Sequence, residues 1–262
     1  MSSTASRYPT IVSGFGYSPL STAVWRDDPA CELEYRDLSL NAASKDALHS
    51  RHVRAKRATS SRTFGSPVSG FSFVFVLKGK VILKQTSAEP IELGKWDTAS
   101  CYGVDEAEWQ FEEGAEALDI VLGEPGKDQL QPPASNETGW VVTRESAENY
   151  LLGEGPRSYF KYRDLGVAGL TNRRIHIHIV AATKAMEYGT GWHSHNMGQI
   201  FYVLNEWADL AVEDRPWVKM SAGDAMCIHP RLAHNVPGFS AEYVVLEMCV
   251  PADYDTIDAK AG

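Results

Sequence analysis

The sequence repeats a short motif at a fixed interval. The tetrapeptide Tyr-Arg-Asp-Leu at residues 35–38 recurs at residues 162–165, an offset of 162 − 35 = 127. The same offset relates Val76-Leu77 to Val203-Leu204 and Asp97 to Asp224. Three matches at one offset indicate a duplicated structural module. We therefore predict an N-terminal extension at 1–29, one module at 30–122, a linker at 123–156, a second module at 157–253 and a tail at 254–262.

The apolar pattern inside these modules is typical of short β-strands. Residues 175–179 alternate strictly between isoleucine and histidine, and residues 200–204 and 243–250 are β-branched and aromatic runs of strand length. Turn pairs such as Gly223-Asp224 and Pro237-Gly238 separate the runs. The fold class predicted from this pattern is all-β, with an antiparallel sandwich or barrel in each half.

Composition excludes several classes of protein. Of the 262 residues, 44% are hydrophobic, which is enough to form a packed core and excludes a disordered chain. The net charge of −9 argues against nucleic-acid binding, which needs clustered Lys and Arg. No apolar run approaches the roughly 20 residues of a membrane span. Because the four cysteines are scattered and the first residues are polar, we expect reduced thiols and a cytoplasmic protein.

Histidines concentrate in the second module, where six of the eight fall between His176 and His234. His193 and His195 are two residues apart, so on a strand they point to the same face and can bind one ion. Gln199 opens the next predicted strand, and His234 arrives from a later one. Three imidazoles and one oxygen suit Fe(II), Mn(II), Ni(II) or Zn(II) and leave room for water or substrate.

The spacing of these residues resembles the two motifs of the cupin superfamily, G-x5-H-x-H-x3,4-E-x6-G and G-x5-P-x-G-x2-H-x3-N. His193 and His195 match the first pair of histidines, Gln199 stands at the glutamate position, and Gly223 and His234 match the second motif. Other motif positions depart from the pattern, among them Glu206, His229, Arg231 and Gly238. The resemblance covers about 30–253 and implies two tandem antiparallel cupin barrels, also called jelly rolls or double-stranded β-helices.

The repeat offset predicts that only the second barrel binds metal. Subtracting 127 places Ser66, Val68, Ser72 and Ala107 at the positions of His193, His195, Gln199 and His234. None of the four is a good ligand for a transition metal. We therefore expect one divalent ion for each chain, with Fe(II) favoured and Zn, Mn or Ni as alternatives.

Further residues are candidates for the surroundings of the metal. Glu247 lies in an apolar strand and is a candidate general acid or base, or a partner that orients a histidine. Trp192, Phe201 and His229 are candidate pocket residues. His176 and His178 form a second His-x-His pair, which we interpret as one face of a strand that lies at the surface or behind the ligands and does not itself bind the metal.

Gln199 changes the charge expected at the site. A divalent ion with three neutral histidines and a glutamate has a formal charge of +1, whereas with Gln199 it has +2, which favours an anionic ligand. Some cupins with glutamine at this position catalyse non-redox reactions, and dioxygenase relatives tend to use glutamate or three histidines alone.

The function expected from the resemblance is a metalloenzyme that acts on a small oxygen-rich or anionic molecule. A non-haem Fe(II) dioxygenase for a phenolic or β-dicarbonyl compound is slightly favoured. A non-redox lyase, isomerase or cyclase is the first alternative, and a small-ligand binding or sensing protein without turnover is the second. We expect a small-molecule substrate, no nucleic acid and no membrane partner, and either a monomer or a homodimer.

Overall fold

The computed structural model describes residues 11–29, 31–65, 70–86, 88–102, 107–123, 139–154 and 158–259. The chain divides into two compact units. One comprises residues 23–145 with 170–172 and is called the N-terminal barrel. The other comprises residues 1–22, 146–169 and 173–262 and is called the C-terminal barrel. Both consist almost entirely of short antiparallel strands, as the sequence predicted.

The N-terminal barrel contains two antiparallel sheets among its described residues. One has the strand order β12-β9-β6-β11-β4-β3-β2 and the other β5-β10-β7-β8. The strands are β2 (Arg26–Asp27), β3 (Leu33–Asp37), β4 (Leu48–Ala55), β5 (Thr59–Ser61), β6 (Phe71–Lys78), β7 (Val81–Gln85), β8 (Ile91–Leu93), β9 (Thr98–Tyr102), β10 (Ala107–Phe111), β11 (Glu116–Leu122) and β12 (Trp140–Thr143), with one short helix, α1 (Leu40–Ala43).

The C-terminal barrel has the same arrangement. Its larger sheet has the order β1-β20-β17-β22-β15-β14-β13 and its smaller sheet β19-β18-β21-β16-β23. The elements are β1 (Gly16–Ser18), β13 (Leu151–Leu152), β14 (Phe160–Asp164), α2 (Val167–Leu170), β15 (His176–Ala182), β16 (His193–His195), β17 (Gly198–Asn205), β18 (Trp207–Val212), β19 (Val218–Ser221), β20 (Ala225–Ile228), β21 (His234–Phe239), β22 (Val244–Val250) and β23 (Thr256–Asp258), with 3-10 turns at Leu20–Thr22 and Ala147–Asn149.

The offset of 127 residues relates elements of the two barrels. It converts the bounds of β3, α1 and β6 into those of β14, α2 and β17. The repeated Tyr-Arg-Asp-Leu motif has the same structural role in both. Arg36 and Arg163 are buried, while Asp37 and Asp164 accept hydrogen bonds from the backbone N–H of Ser39 and Gly166 in the turn before each helix.

Several segments predicted as connections are strands in the structure. In the predicted extension, β1 pairs with β20, and in the predicted tail, β23 pairs with β16. In the predicted linker, β12 pairs with β9 and β13 pairs with β14. Strands of two to four residues carry too little apolar pattern to be recognised in sequence, yet they satisfy backbone groups at a sheet edge. Within the described residues, no helix has the length and apolarity needed to span a membrane.

Candidate metal centre

Two neighbouring strands of the smaller sheet bring three histidines together. His193 and His195 lie at alternate positions of β16 and therefore project from the same face. The first residue of β21, His234, is the direct cross-strand partner of His193. The structure thus brings together the three histidines that the sequence predicts as metal ligands.

The three imidazoles are close enough to share one ion. Their ring centroids are 4.5 Å apart for His193 and His234, 5.0 Å for His193 and His195, and 5.4 Å for His195 and His234. One ring nitrogen from each lies within 4.8 Å of the other two. His195 and His234 are buried, and His193 is partly exposed.

Each histidine is held through its Nδ1 atom by an oxygen. Nδ1 of His193 lies 2.8 Å from the carbonyl oxygen of Gly191, and Nδ1 of His234 lies 3.0 Å from that of Leu232. Nδ1 of His195 lies 3.2 Å from the hydroxyl of Thr256. A carbonyl only accepts hydrogen bonds, so Nδ1 of His193 and His234 is the donor and their Nε2 carries a lone pair. Metal-binding histidines are typically oriented in this way, with one ring nitrogen hydrogen-bonded to an oxygen and the other facing the metal.

Two buried polar atoms at this site have no hydrogen-bond partner. They are Nε2 of His234 and Oε1 of Gln199. A buried polar atom without a partner costs about 1–3 kcal/mol, and a metal ligand bond would remove that cost. Both atoms are metal-ligand types, so the residues present fit a divalent transition metal bound by His193, His195, His234 and Gln199.

Burial keeps His234 neutral, as a metal ligand must be. Desolvation is the largest cause, with repulsion by His193 and His195 adding to it, and together they lower the pKa of His234 to about 3. The imidazole is therefore unprotonated at neutral pH, ready to donate its lone pair.

A cavity of about 280 Å³ adjoins the three histidines. Trp192 and Phe201, predicted as pocket residues, line it, together with five tyrosine and phenylalanine side chains: Tyr159, Phe160, Tyr162, Tyr243 and Tyr254. His229, the third predicted pocket residue, is not among the described residues that line it. Its Nδ1 lies 2.9 Å from the carbonyl of Pro230 in the turn after β20, which corrects the sequence prediction.

Glu247 faces this cavity and is the buried acid of the site. It lies on β22 directly opposite His178 on β15, and its Oε2 is 2.8 Å from Nε2 of His178. Its Oε1 accepts a hydrogen bond from Nε2 of Gln199. Burial alone would raise the pKa of Glu247, but the His178 and Gln199 hydrogen bonds outweigh it and lower the pKa to about 2.

The structure adds contacts and residues that sequence reasoning did not supply. His178, interpreted as a surface residue or one behind the ligands, is buried, contacts Glu247 and lines the cavity. Tyr254, Thr256 and Asp258, assigned to the tail, line it as well, and the Tyr254 ring lies 5.3 Å from that of His195. The sequence indication for His178 is the alternation of residues between the two faces of β15 and β22, since His178 and Glu247 lie on the same face and are cross-strand partners. Nothing in the sequence indicates that the tail returns to the site.

Glu247 also alters the charge predicted for the site. The sequence argument assigned an uncompensated +2 to a divalent ion beside Gln199, but the carboxylate of Glu247 is hydrogen-bonded to that same glutamine. A divalent ion bound there and the carboxylate of Glu247 would together have a formal charge of 2 − 1 = +1. That is the formal charge of a divalent ion bound by three histidines and a glutamate.

Two of the four equivalent positions in the N-terminal barrel lie in the part of the chain that the structure describes. Ser66 and Val68 lie outside the described residues. Ser72 donates a hydrogen bond to the carbonyl of Gly65 at 2.6 Å, and Ala107 has no ligand atom in its side chain. Among the described residues, groups of three or more potential His, Cys, Asp or Glu ligands occur at two places, both in the C-terminal barrel. These are the three histidines, and His178 with Glu247 and Cys249.

Comparison with known proteins identifies the fold. No protein-family model matches the sequence, and no curated protein matches it significantly. Solved structures do match over nearly the whole chain. Protein Ylba from E. coli has a TM-score of 0.68 at 13% identity, with 98% of this chain and 97% of that chain covered. A putative glyoxylate-induced protein from Pseudomonas aeruginosa has a TM-score of 0.70 at 13% identity, with coverage of 99% and 94%.

Oxalate decarboxylases are similar as well. The Bacillus subtilis enzyme has a TM-score of 0.64 at 17% identity, with 92% of this chain and 78% of that chain covered. The Lactobacillus farciminis enzyme has the same TM-score at 14% identity, with coverage of 92% and 88%. At such identities the likeness concerns the fold alone. The chain therefore has the cupin fold in two tandem antiparallel barrels.

Proposed function

We propose that this protein is a bicupin metalloenzyme whose C-terminal barrel binds one divalent transition metal and acts on a small oxygen-bearing molecule. The observation that carries the proposal is the convergence of His193, His195 and His234 at the wall of a cavity, where the buried Nε2 of His234 has no hydrogen-bond partner among the described residues. Buried polar atoms in folded proteins normally have a partner, so this nitrogen supports the presence of a ligand such as a metal ion.

The residues of the centre have distinct roles in this proposal. His193, His195, His234 and Gln199 would hold the ion, and the carbonyls of Gly191 and Leu232 orient two of the imidazoles. A bound divalent ion supplies Lewis acidity or, as Fe(II), redox chemistry with oxygen. The protein supplies a cavity with largely aromatic walls around it.

The cavity wall indicates the shape of the substrate. Aromatic side chains such as Phe201, Tyr243 and Trp192 form much of the lining, and the volume of about 280 Å³ is at the small end of ligand pockets. Aromatic walls favour a flat molecule that stacks or makes edge contacts. A phenolic or β-dicarbonyl compound meets both requirements, because its oxygens can approach the centre while its ring or chain contacts the wall.

Two reaction classes fit this geometry. Oxygenation by an Fe(II) centre is the first, since three imidazoles with open positions is a ligand set that Fe(II) accepts. A non-redox lyase, isomerase or cyclase reaction is the second, and glutamine in place of glutamate at position 199 favours it. The Bacillus subtilis oxalate decarboxylase, which has a similar fold, contains Mn(II) centres. Binding without turnover, as in a sensor, is the remaining alternative.

Metal reconstitution distinguishes these classes. Metal-free protein would be loaded separately with Fe(II), Mn(II) and Zn(II) and assayed with catechols, hydroxyaryl ketones and β-diketones for oxygen consumption and for substrate loss under nitrogen. Oxygen consumption with Fe(II) only identifies the dioxygenase. Substrate loss under nitrogen with Mn(II) or Zn(II) identifies the non-redox enzyme. Tight substrate binding without turnover identifies the sensor, and failure to bind any metal contradicts the proposal.

The proposal extends to the location of the protein and to its binding partners. The four cysteines are free thiols, which fits the proposed cytoplasmic location. A small molecule is the proposed partner, with no nucleic acid and no membrane, and the chain would act as a monomer or a homodimer.

A further inference from the structure

A row of polar side chains crosses three neighbouring strands of the larger C-terminal sheet. β15, β22 and β17 are adjacent, and they carry His178, Glu247 and Gln199 respectively. His178 is the direct cross-strand partner of Glu247. Gln199 is the partner of Cys249, two residues along β22, so it lies diagonally beside Glu247 on the same face of the sheet.

Hydrogen bonds connect the row without a break. Nε2 of Gln199 donates to Oε1 of Glu247, and Oε2 of Glu247 lies 2.8 Å from Nε2 of His178. Nδ1 of His178 in turn lies 2.7 Å from Nε2 of His176. Gln199, Glu247 and His178 are all buried. The amide of Gln199 is therefore fixed with its NH2 group on the carboxylate and its Oε1 left over.

We propose that Glu247 is a positioning residue that supplies, from the neighbouring strand, the carboxylate that the metal centre lacks at position 199. It holds the Gln199 amide so that the oxygen is the atom offered to the metal, and it places one negative charge directly behind that ligand. This inference rests on the proposed function, because it assigns Glu247 and His178 roles toward the metal ion.

This role differs from general acid or base catalysis. Both carboxylate oxygens of Glu247 are already engaged, one by Gln199 and one by His178. A carboxylate so held is a weak base. Its hydrogen-bond partners would have to move before it could accept a proton from a substrate.

The N-terminal barrel shows the same pair of strands without this role. The cross-strand pair there is Arg51 and Asp119, which form an ion pair, and Oδ2 of Asp119 also accepts the backbone N–H of Gly65 at 3.4 Å. The residue at the Gln199 position is Ser72, which bonds Gly65 instead. In the C-terminal barrel a longer acid and a histidine occupy the paired positions, and the acid reaches a glutamine.

A charge-swap cycle tests the proposal on metal affinity. Mn(II) dissociation constants would be measured by electron paramagnetic resonance for the wild type, E247Q, E247D, Q199E and the double variant Q199E/E247Q. We expect E247Q to weaken Mn(II) binding at least tenfold. The substitution removes the negative charge, and it replaces a group that only accepts hydrogen bonds with an amide that no longer fixes the orientation of Gln199. We expect E247D to weaken it comparably, because the shorter acid keeps the charge but withdraws from the amide. The double variant restores a carboxylate beside an amide and should return within threefold of the wild type.

Stability of the metal-free protein gives a second readout. In Q199E two buried carboxylates face each other, so at pH 8 we expect the Tm to fall by at least about 3 °C, and Q199E/E247Q should recover it. D119N in the N-terminal barrel is the matched control. It removes the equivalent acid and destabilises its own barrel, but should leave Mn(II) affinity within twofold of the wild type.

The outcomes separate this inference from the proposed function. Wild-type protein that binds no Mn(II), Fe(II) or Zn(II) overturns the proposed function and the inference with it. Wild-type protein that binds metal, with E247Q and E247D both within twofold of it, overturns the positioning role alone. The positioning role is also overturned if the change in binding free energy in the double variant equals the sum of the changes in the two single variants, because substitutions of independent residues do not compensate each other. If E247Q does not fold, Q199E and the double variant decide through the recovery of Tm.

Discussion

The two barrels share one architecture and differ in what occupies the interior. The N-terminal barrel is filled by Phe64 and Trp109, both almost fully buried, with ring centroids 5.6 Å apart and edge-to-face. Adding 127 to their numbers gives Gly191 and Val236, which line the cavity of the C-terminal barrel. Two large side chains therefore stand where the other barrel has a glycine and a valine.

The position of Trp109 on its strand explains why its side chain occupies the interior of the N-terminal barrel. It lies two residues after Ala107 on β10, so both side chains are on the same face of the strand. Ala107 is the equivalent of His234, and Trp109 therefore projects toward the region where a metal would be bound. Phe64 and Trp109 thus place buried aromatic rings at positions that border the cavity in the other barrel. The comparison teaches that a few inward residues decide whether the space at these positions is filled by side chains or left open.

The largest effect is expected when the packed interior is opened. Trp109→Ala removes a fully buried indole, and we expect it to lower the free energy of unfolding by about 3–5 kcal/mol, as large-to-small core substitutions do. Val236→Ala, at the equivalent position beside an existing cavity, should cost less than about 1.5 kcal/mol. Urea denaturation followed by circular dichroism measures both. Equal costs would mean that the two interiors do not differ as described.

The next effect concerns the metal ligands. His234→Ala removes one of three imidazoles, and we expect Mn(II) or Fe(II) affinity to fall at least about 100-fold, beyond the range caused by residues behind the ligands. His229→Ala, five residues away and outside the cavity lining, is the control and should leave affinity unchanged. Competition with a chelator gives the constants. Retained affinity in His234→Ala would show that the ion, if bound, is held elsewhere.

A smaller effect is expected at the end of the chain. Thr256→Val keeps the shape of the side chain but removes the hydroxyl that contacts Nδ1 of His195. Loss of such a partner typically lowers metal affinity about 10-fold. The same chelator competition applies, with Ile257→Val, the exposed neighbour on β23, as the control. An unchanged metal dissociation constant in Thr256→Val would show that β23 does not contribute to metal binding.

A last effect, confined to acid pH, is a dependence of stability on pH in the metal-free protein. Burial lowers the pKa of His234 to about 3, so between pH 6.5 and 3 the unfolded chain binds a proton that the folded chain does not. Stability from this group is therefore complete above pH 6.5 and is lost as the pH falls, by up to about 1.4 kcal/mol per pH unit. Thermal unfolding from pH 7 to 5 should show a shallower slope for His234→Gln than for the wild type. Parallel slopes would contradict the assignment.

Much of the fold and the core of the site could be predicted from sequence, because both leave periodic signals. The constant offset indicated the duplication, and alternation of β16 put His193 and His195 on one face. The burial of Trp109 in the interior of the N-terminal barrel was not predicted, since a tryptophan in a strand has no sequence mark that says which space it fills. The contact between His178 and Glu247 was not predicted either, because the two residues are 69 positions apart in sequence and become adjacent only through sheet register.

The central claim is that one barrel of the pair holds a single metal and the other holds none. Anomalous diffraction from crystals of Mn(II)-loaded protein, measured above and below the metal absorption edge, tests it most directly. The account predicts one strong peak per chain, between the imidazoles of His193, His195 and His234 and the amide oxygen of Gln199. Absence of a peak there, or a peak of equal strength beside Ser72 and Ala107, would contradict it.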